Sequence, residues 1–206
     1  MKAFGSEMRV AGRLSLGRIL LLALACLTLT ETGLLAFRPP PTPQEIAELT
    51  REIAAEPGNS RPLQYRGLDY AVLGEKEKAI ADYKAAQKIS PSQHFLFWSY
   101  GWALFDLGDY PSAIQVWENV IAQEQTKREI GHSWGRYTLA LGYWAAGNKN
   151  QAFIYFTAAA KQDVKLQDRD TFEQFTDRWT QKEQTIGLQL FDAWQKEIEK
   201  PGTHLW

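Results

Sequence analysis

A regular repetition of small residues constrains the fold of this chain more than any other feature. Three small residues recur 34 positions further on, as the pairs Gly67 and Gly101, Gly74 and Gly108, and Ala79 and Ala113. From Gly108 to Gly147 the spacing is 39 residues, which indicates a third copy displaced by a five-residue insertion near 127–131. A fixed period of this length is typical of architectures in which similar units stack on one another.

Within residues 60–93, small, aromatic and proline residues follow a recognisable order. The matching positions are Gly67, Tyr70, Ala79, Tyr83, Ala86 and Pro91. This order resembles the tetratricopeptide repeat, in which two antiparallel helices pack closely because small side chains lie where they cross. The unit departs from the family pattern at Leu63, where tryptophan is usual, and at Arg66, where leucine is usual.

Two weaker copies and two flanking segments complete the predicted domain. The second unit, 94–127, keeps Phe97, Gly101, Leu104, Ala113 and Trp117, and the third, 133–166, keeps Leu139, Tyr143, Ala152, Phe156 and Ala159. A half-unit is expected at 44–59, and an apolar stripe over 170–199 predicts one long amphipathic helix within 167–206. The resemblance implies an all-α, right-handed helical-repeat solenoid over 44–166 with a C-terminal capping helix.

Residues 1–37 have the layout of an export signal or a membrane anchor. A basic stretch, 1–18, is followed by an uncharged apolar run that extends to Phe37 if Glu31 is tolerated. Signal cleavage, retention through 19–37 and lipidation of Cys26, which lies in a degraded lipoprotein box, remain open alternatives. Residues 38–43 are a stiff proline-rich linker. The folded part is therefore expected outside the cytoplasm, on the periplasmic side if the cell is bacterial, either anchored or exported.

The resemblance also predicts an aromatic groove. In this family the first helix of each unit lines the concave surface, and its inward positions in the second and third units are Phe95, Trp98, Trp102, Phe105, Trp134, Tyr137, Leu141 and Trp144. The lysine and asparagine positions with which well-known members bind a chaperone's carboxylate hold other residues, so that activity is not expected. An aromatic face favours apolar or amphipathic protein segments.

The predicted function is therefore that of a non-catalytic adaptor or scaffold that binds a protein partner, in a role such as assembly of an envelope complex. The residues expected to contact the partner are Phe95, Trp98, Trp102, Phe105, Trp134, Tyr137 and Trp144. Three alternatives stay open. The C-terminal helix fills the groove and makes these residues core, the module associates with itself, or the tryptophans stack on cell-wall glycans.

Other chemistry is not expected from the sequence. A net charge of −1 gives no basic excess for nucleic acid. The three histidines, His94, His132 and His204, do not share a helical face, and no metal or cofactor site is expected. Asp106 and Asp109 flank Gly108 and are predicted to be turn and capping residues. No phosphate-binding glycine loop or nucleophile motif occurs, so an enzyme is not predicted.

Overall fold

The computed structural model describes residues 40–126 and 133–200. The predicted anchor, Cys26 and the last six residues lie outside these ranges, as do the side chains of 124–126, 133 and 134. Within the described residues there are nine α-helices, one 3₁₀ turn at Val164–Leu166 and no strand. The helices are α1 Pro43–Ala55, α2 Ser60–Val72, α3 Lys76–Ile89, α4 His94–Asp106, α5 Tyr110–Thr126, α6 Ser133–Ala145, α7 Lys149–Gln162, α8 Arg169–Phe175 and α9 Gln181–Ile198.

Successive helices pack as pairs, with α2 on α3, α4 on α5 and α6 on α7, and the pairs stack through α2 with α4 and α5 with α6. The prediction of a helical-repeat solenoid is confirmed. Among the described residues, no helix is both long and apolar enough to cross a membrane.

The same turn joins the two helices of every pair. Gly74, Gly108 and Gly147 adopt φ angles of 76°, 81° and 82°. This left-handed region is costly for residues with a Cβ atom, which is why glycine is used where a helix ends in such a turn. The recurrent glycine seen in the sequence is therefore the residue that reverses the chain within each unit.

The second recurrent glycine lies where the helices of a pair cross. A Cβ atom placed on Gly67 would lie 2.9 Å from a ring carbon of Tyr83, and one on Gly101 would lie 2.1 Å from the indole nitrogen of Trp117. Both aromatic side chains are completely buried. The ring of the second helix therefore occupies the space that the glycine leaves on the first.

Arg66, which departs from the family pattern, connects three helices. Its guanidinium donates two hydrogen bonds of 2.7 Å to the carboxylate of Asp82 on α3 and one of 2.8 Å to the hydroxyl of Thr50 on α1. The bonds to Asp82 raise the pKa of Arg66. A leucine could make none of these bonds, so the substitution attaches the N-terminal helix to the first unit.

The C-terminal region caps the solenoid, but the prediction of one long helix over 170–199 is wrong. The chain breaks after α8 and restarts at α9, where Thr180 and Glu183 form a capping box: the Thr180 amide donates to the Glu183 carboxylate at 2.7 Å, and the Glu183 amide donates to the Thr180 hydroxyl at 3.2 Å. Such a box is a strong signal for a helix start. The apolar periodicity continues across the break, which explains the error.

The described buried side chains form two clusters. One joins the first unit to the beginning of the second, around Leu63, Tyr83 and Leu96. The other extends from the second unit through the third into the C-terminal region, where Phe172, Phe191 and Trp194 are completely buried. The Trp194 indole donates a 2.8 Å hydrogen bond to Thr157 on α7. The C-terminal helices thus belong to the core of the third unit.

Candidate functional site

An open cleft of about 310 Å³ lies among the first helices of the three units and the C-terminal region. Leu68 comes from α2 and Tyr137 from α6, while α4 supplies most of the lining. The lining residues are Leu68, Phe95, Trp98, Ser99, Trp102, Asp106, Tyr137, Trp179 and Glu183. Five of these nine are aromatic, so the cleft is chiefly an apolar site with a few polar groups, as expected of a binding site.

Four of the predicted partner-binding residues meet at this cleft. They are Phe95, Trp98, Trp102 and Tyr137. Phe95 is 64% exposed at its edge, whereas Trp98 and Tyr137 are buried at 7% and 9% exposure. The tryptophans and the tyrosine therefore form rigid walls, and Phe95 is the part that a ligand would newly cover.

The structure places the other three predicted residues differently. Phe105 is fully buried, packed edge-on against Tyr110 and close to Trp117, so it belongs to the core because its ring points between α4 and α5. Trp144 stacks on Phe153 of α7 and does not line the cleft, because α6 turns this position toward its own partner helix. The side chain of Trp134 lies outside the described residues.

The C-terminal region covers part of the predicted groove. Trp179, just before α9, lies with its ring centroid 5.8 Å from that of Tyr137, nearly parallel to it, and 5.7 Å from that of Trp102. Phe175 meets Tyr137 edge-on at 5.4 Å. The sequence left open whether the C-terminal helix fills the groove or leaves it accessible. Each alternative holds for part of the surface. The inner face of the third unit is covered, and the cleft beside α4 remains open.

Lys182 fastens this cover to the end of α4. Its ammonium group donates hydrogen bonds to the carbonyls of Phe105 at 3.1 Å and Asp106 at 2.8 Å, and it lies over the ring of Tyr110 at 5.3 Å. Carbonyls in the last turn of a helix have no partner within the helix and carry the negative end of its dipole. A lysine from α9 thus caps α4 and joins the start of α9 to its end.

Two carboxylates stand at one end of the cleft. The Thr180 hydroxyl donates to Asp106 at 3.4 Å, and the Thr180 amide donates to Glu183 at 2.7 Å, so both acids lie beside the same residue. Burial raises the pKa of Tyr137, and the negative charge of Glu183 raises it further. Tyr137 is therefore a neutral phenol at the edge of an acidic site.

Sequence reasoning missed three polar members of the site. Asp106 and Asp109 were predicted to be turn and capping residues; Asp109 accepts a 3.4 Å bond from the Ser112 amide at the start of α5, whereas Asp106 ends α4 and accepts a bond from Thr180. The sequence pattern predicts that Glu183 forms a capping box with Thr180, but it does not predict that Glu183 is a neighbour of Asp106. Ser99 carried no signal, and its hydroxyl bonds to that of Tyr83 at 2.6 Å.

No group of three or more His, Cys, Asp or Glu side chains within 40–126 and 133–200 is arranged to hold a metal ion. Asp106 and Glu183 are the two acidic residues that line the cleft.

Comparison with known proteins adds information about the fold. No protein-family model matches the sequence, and no curated protein matches it. Among solved structures, MamA from residue 41 to its end, from Desulfovibrio magneticus RS-1, is similar with a TM-score of 0.50 and 16% identity, over 91% of this chain and 97% of that one. MamA is a tetratricopeptide-repeat protein. The fold of this chain is tetratricopeptide-like.

The MamA RS-1 ArsTM double mutant is similar with a TM-score of 0.49 and 16% identity, over 89% of this chain and 96% of that one. At such identities a likeness concerns the path of the backbone.

Proposed function

We propose that this chain is a non-catalytic adaptor that binds an apolar or amphipathic segment of a partner protein in the cleft. The observation that supports the proposal is the aromatic lining, with Phe95 64% exposed beside walls that are already packed. Burial of apolar surface returns about 25 cal/mol for each Å² removed from water. Tryptophan and tyrosine are also the residues that contribute most to protein interfaces.

The rigidity of the walls favours binding further. Trp98 rests against Trp117, with ring centroids 5.9 Å apart, and the Trp117 indole donates a 3.1 Å bond to the Trp98 carbonyl. Trp179 and Tyr137 stack on each other. Side chains that are ordered before binding lose little conformational entropy when a ligand arrives. Most of the energy of contact is then available as affinity.

We also propose that the domain lies outside the cytoplasm, held there by residues 19–37 or exported after signal cleavage. Its support is the basic stretch followed by an apolar run at the start of the sequence. An alkaline phosphatase fusion after residue 43 tests this part in a bacterial host. We expect activity from the fusion and none when Arg9, Arg13 and Arg18 are replaced by glutamate; an inactive native fusion contradicts it.

Affinity capture tests the adaptor function. The full-length tagged protein is cross-linked in its own membranes, captured and read by mass spectrometry beside two variants. Phe95→Ala removes the exposed wall of the cleft, and Ile154→Ala removes a similarly exposed apolar side chain, at 53%, from α7. We expect a partner recovered with the native chain and with Ile154→Ala, and reduced about tenfold with Phe95→Ala.

Equal recovery with Phe95→Ala would contradict the use of this cleft. Both side chains are exposed, so neither substitution should disturb packing, and circular dichroism checks this. Concentration-dependent sedimentation of the native chain that is abolished by Phe95→Ala would instead assign the cleft to self-association.

Glycan binding is a second candidate, and one observation favours it. The cleft places polar oxygen atoms of Ser99, Asp106 and Glu183 beside Trp102 and Trp179, and sugar rings bind where hydroxyl partners adjoin aromatic faces. Retention on insoluble cell wall tests it. Retention that is lost on Trp102→Ala and kept in Ile154→Ala would support glycan binding; no retention of the native chain would exclude it.

A further inference from the structure

The open cleft is asymmetric in charge. Phe95 and Leu68 line it with apolar groups, whereas Asp106 and Glu183 bring two carboxylates to the side beside Thr180. Among its described lining residues none is basic. The nearby Lys182 directs its ammonium group to the carbonyls of Phe105 and Asp106 and is not part of the lining. The cleft is therefore an aromatic site with a negative end.

The aromatic walls of the cleft also favour a positively charged ligand. Trp102, Trp179 and Tyr137 form a continuous group, with Trp179 5.7 Å from Trp102 and 5.8 Å from Tyr137 between ring centroids. The face of an aromatic ring attracts a cation, tryptophan most strongly, by about 0.5–2 kcal/mol. A carboxylate beside such rings adds direct Coulomb attraction that water screens less inside a cleft than at a surface.

Resting on the adaptor function, we propose that the cleft recognises a basic side chain, arginine or lysine, carried by the apolar partner segment. The cationic head lies between Asp106, Glu183 and the rings of Trp102 and Trp179, and the flanking apolar side chains cover Phe95 and Leu68. The charge complementarity of the cleft identifies this occupant. The two carboxylates would repel an acidic segment, and a wholly apolar segment would gain nothing from their charge.

Two matched peptides test the charge preference in isothermal titration calorimetry with the full-length protein. One is acetyl-Leu-Phe-Arg-Leu-Phe-amide, and the other replaces its arginine by citrulline, which has nearly the same shape and no charge. We expect the arginine peptide to bind about tenfold more tightly at low salt. The ratio should decrease as salt is added, since part of the attraction is screened.

Variants assign the preference to the cleft. Glu183→Gln keeps the capping box, in which glutamine serves as well as glutamate, and Asp106→Asn keeps an oxygen acceptor for Thr180. Each substitution alone should reduce the ratio of arginine-peptide to citrulline-peptide affinity to about threefold, and the double variant should reduce it to about one. The affinity for the citrulline peptide should not change. Glu77→Gln removes the same charge from an exposed site on α3 and should keep the native ratio.

Equal affinity of the two peptides, no binding of either, or an unchanged ratio in the double variant overturns this inference. The adaptor function is judged separately, because recovery of a partner that depends on Phe95 requires no particular charge in the ligand. A partner captured through Phe95 together with equal peptide affinities would keep the adaptor and reject the basic side chain.

Discussion

Replacing Gly101 by alanine should destabilise the domain by about 3 kcal/mol. The new methyl carbon would lie 2.1 Å from the indole nitrogen of Trp117, 2.5 Å from its Cδ1 and 2.6 Å from its Cε2. These atoms belong to a rigid, completely buried ring, so the whole side chain must move. Overpacking of this kind costs about 1–3 kcal/mol.

The displacement also breaks a hydrogen bond. The Trp117 indole donates to the Trp98 carbonyl at 3.1 Å, and a buried donor left without its acceptor costs about 1–3 kcal/mol. Alanine offsets about 1 kcal/mol of this loss in the free energy of unfolding, because it favours the helical conformation more than glycine does. The net loss of about 3 kcal/mol is a large share of the stability of a typical domain.

Urea unfolding followed by circular dichroism measures this loss. The matched control is Gly135→Ala in the first helix of the third unit, where the added carbon would meet Ile121 at 3.5 Å, an ordinary contact. We expect the control to be unchanged or up to about 1 kcal/mol more stable. A Gly101→Ala variant within about 0.5 kcal/mol of the native chain would refute the argument that this glycine makes room for Trp117.

The contacts of Arg66 and Lys182 and the burial of Tyr137 can each be tested separately. Arg66→Leu, which restores the usual family residue, should cost about 2–4 kcal/mol because it leaves the Asp82 carboxylate buried without its partner; adding Asp82→Leu should recover most of the loss in urea unfolding. Lys182→Met removes both hydrogen bonds to the end of α4, so amide hydrogen exchange should accelerate in α9 and remain unchanged in α2. The raised pKa of Tyr137 means that the phenol resists ionisation in the folded state, so the free energy of unfolding should fall as the pH rises above about 10, where unfolded tyrosine ionises. Tyr137→Phe should make that fall shallower, and an identical slope in the variant would contradict the assignment.

The parts of the fold that a sequence can predict are those repeated within it. Gly74, Gly108 and Gly147 share a turn, and Gly67 and Gly101 share a helix crossing, so each copy supports the interpretation of the others. Arg66 was visible only as a departure from the pattern. Its role depends on Thr50 and Asp82, each 16 positions away, and no local rule connects them.

The candidate site was predicted in part for the same reason. Phe95, Trp98, Trp102 and Tyr137 follow from the helical register of the repeat, and the structure brings them to one cleft. The negative end could not be predicted, because Thr180 contacts Asp106 across 74 positions of the chain. Contacts between a repeat and a segment outside it have no second copy in the sequence with which to compare them.

Trp179 and Glu183 belong to the wall of the cleft but not to the repeats. The residues that hold the helix pairs together, such as Gly101 and Trp117, are confined to their present identities by close packing. At the cleft, Trp179 is held by stacking on Tyr137, and Glu183 is held by the capping box with Thr180. The terminal segment therefore has two roles at once, and a change at Trp179 or Glu183 would alter the cleft and the cap of the solenoid together.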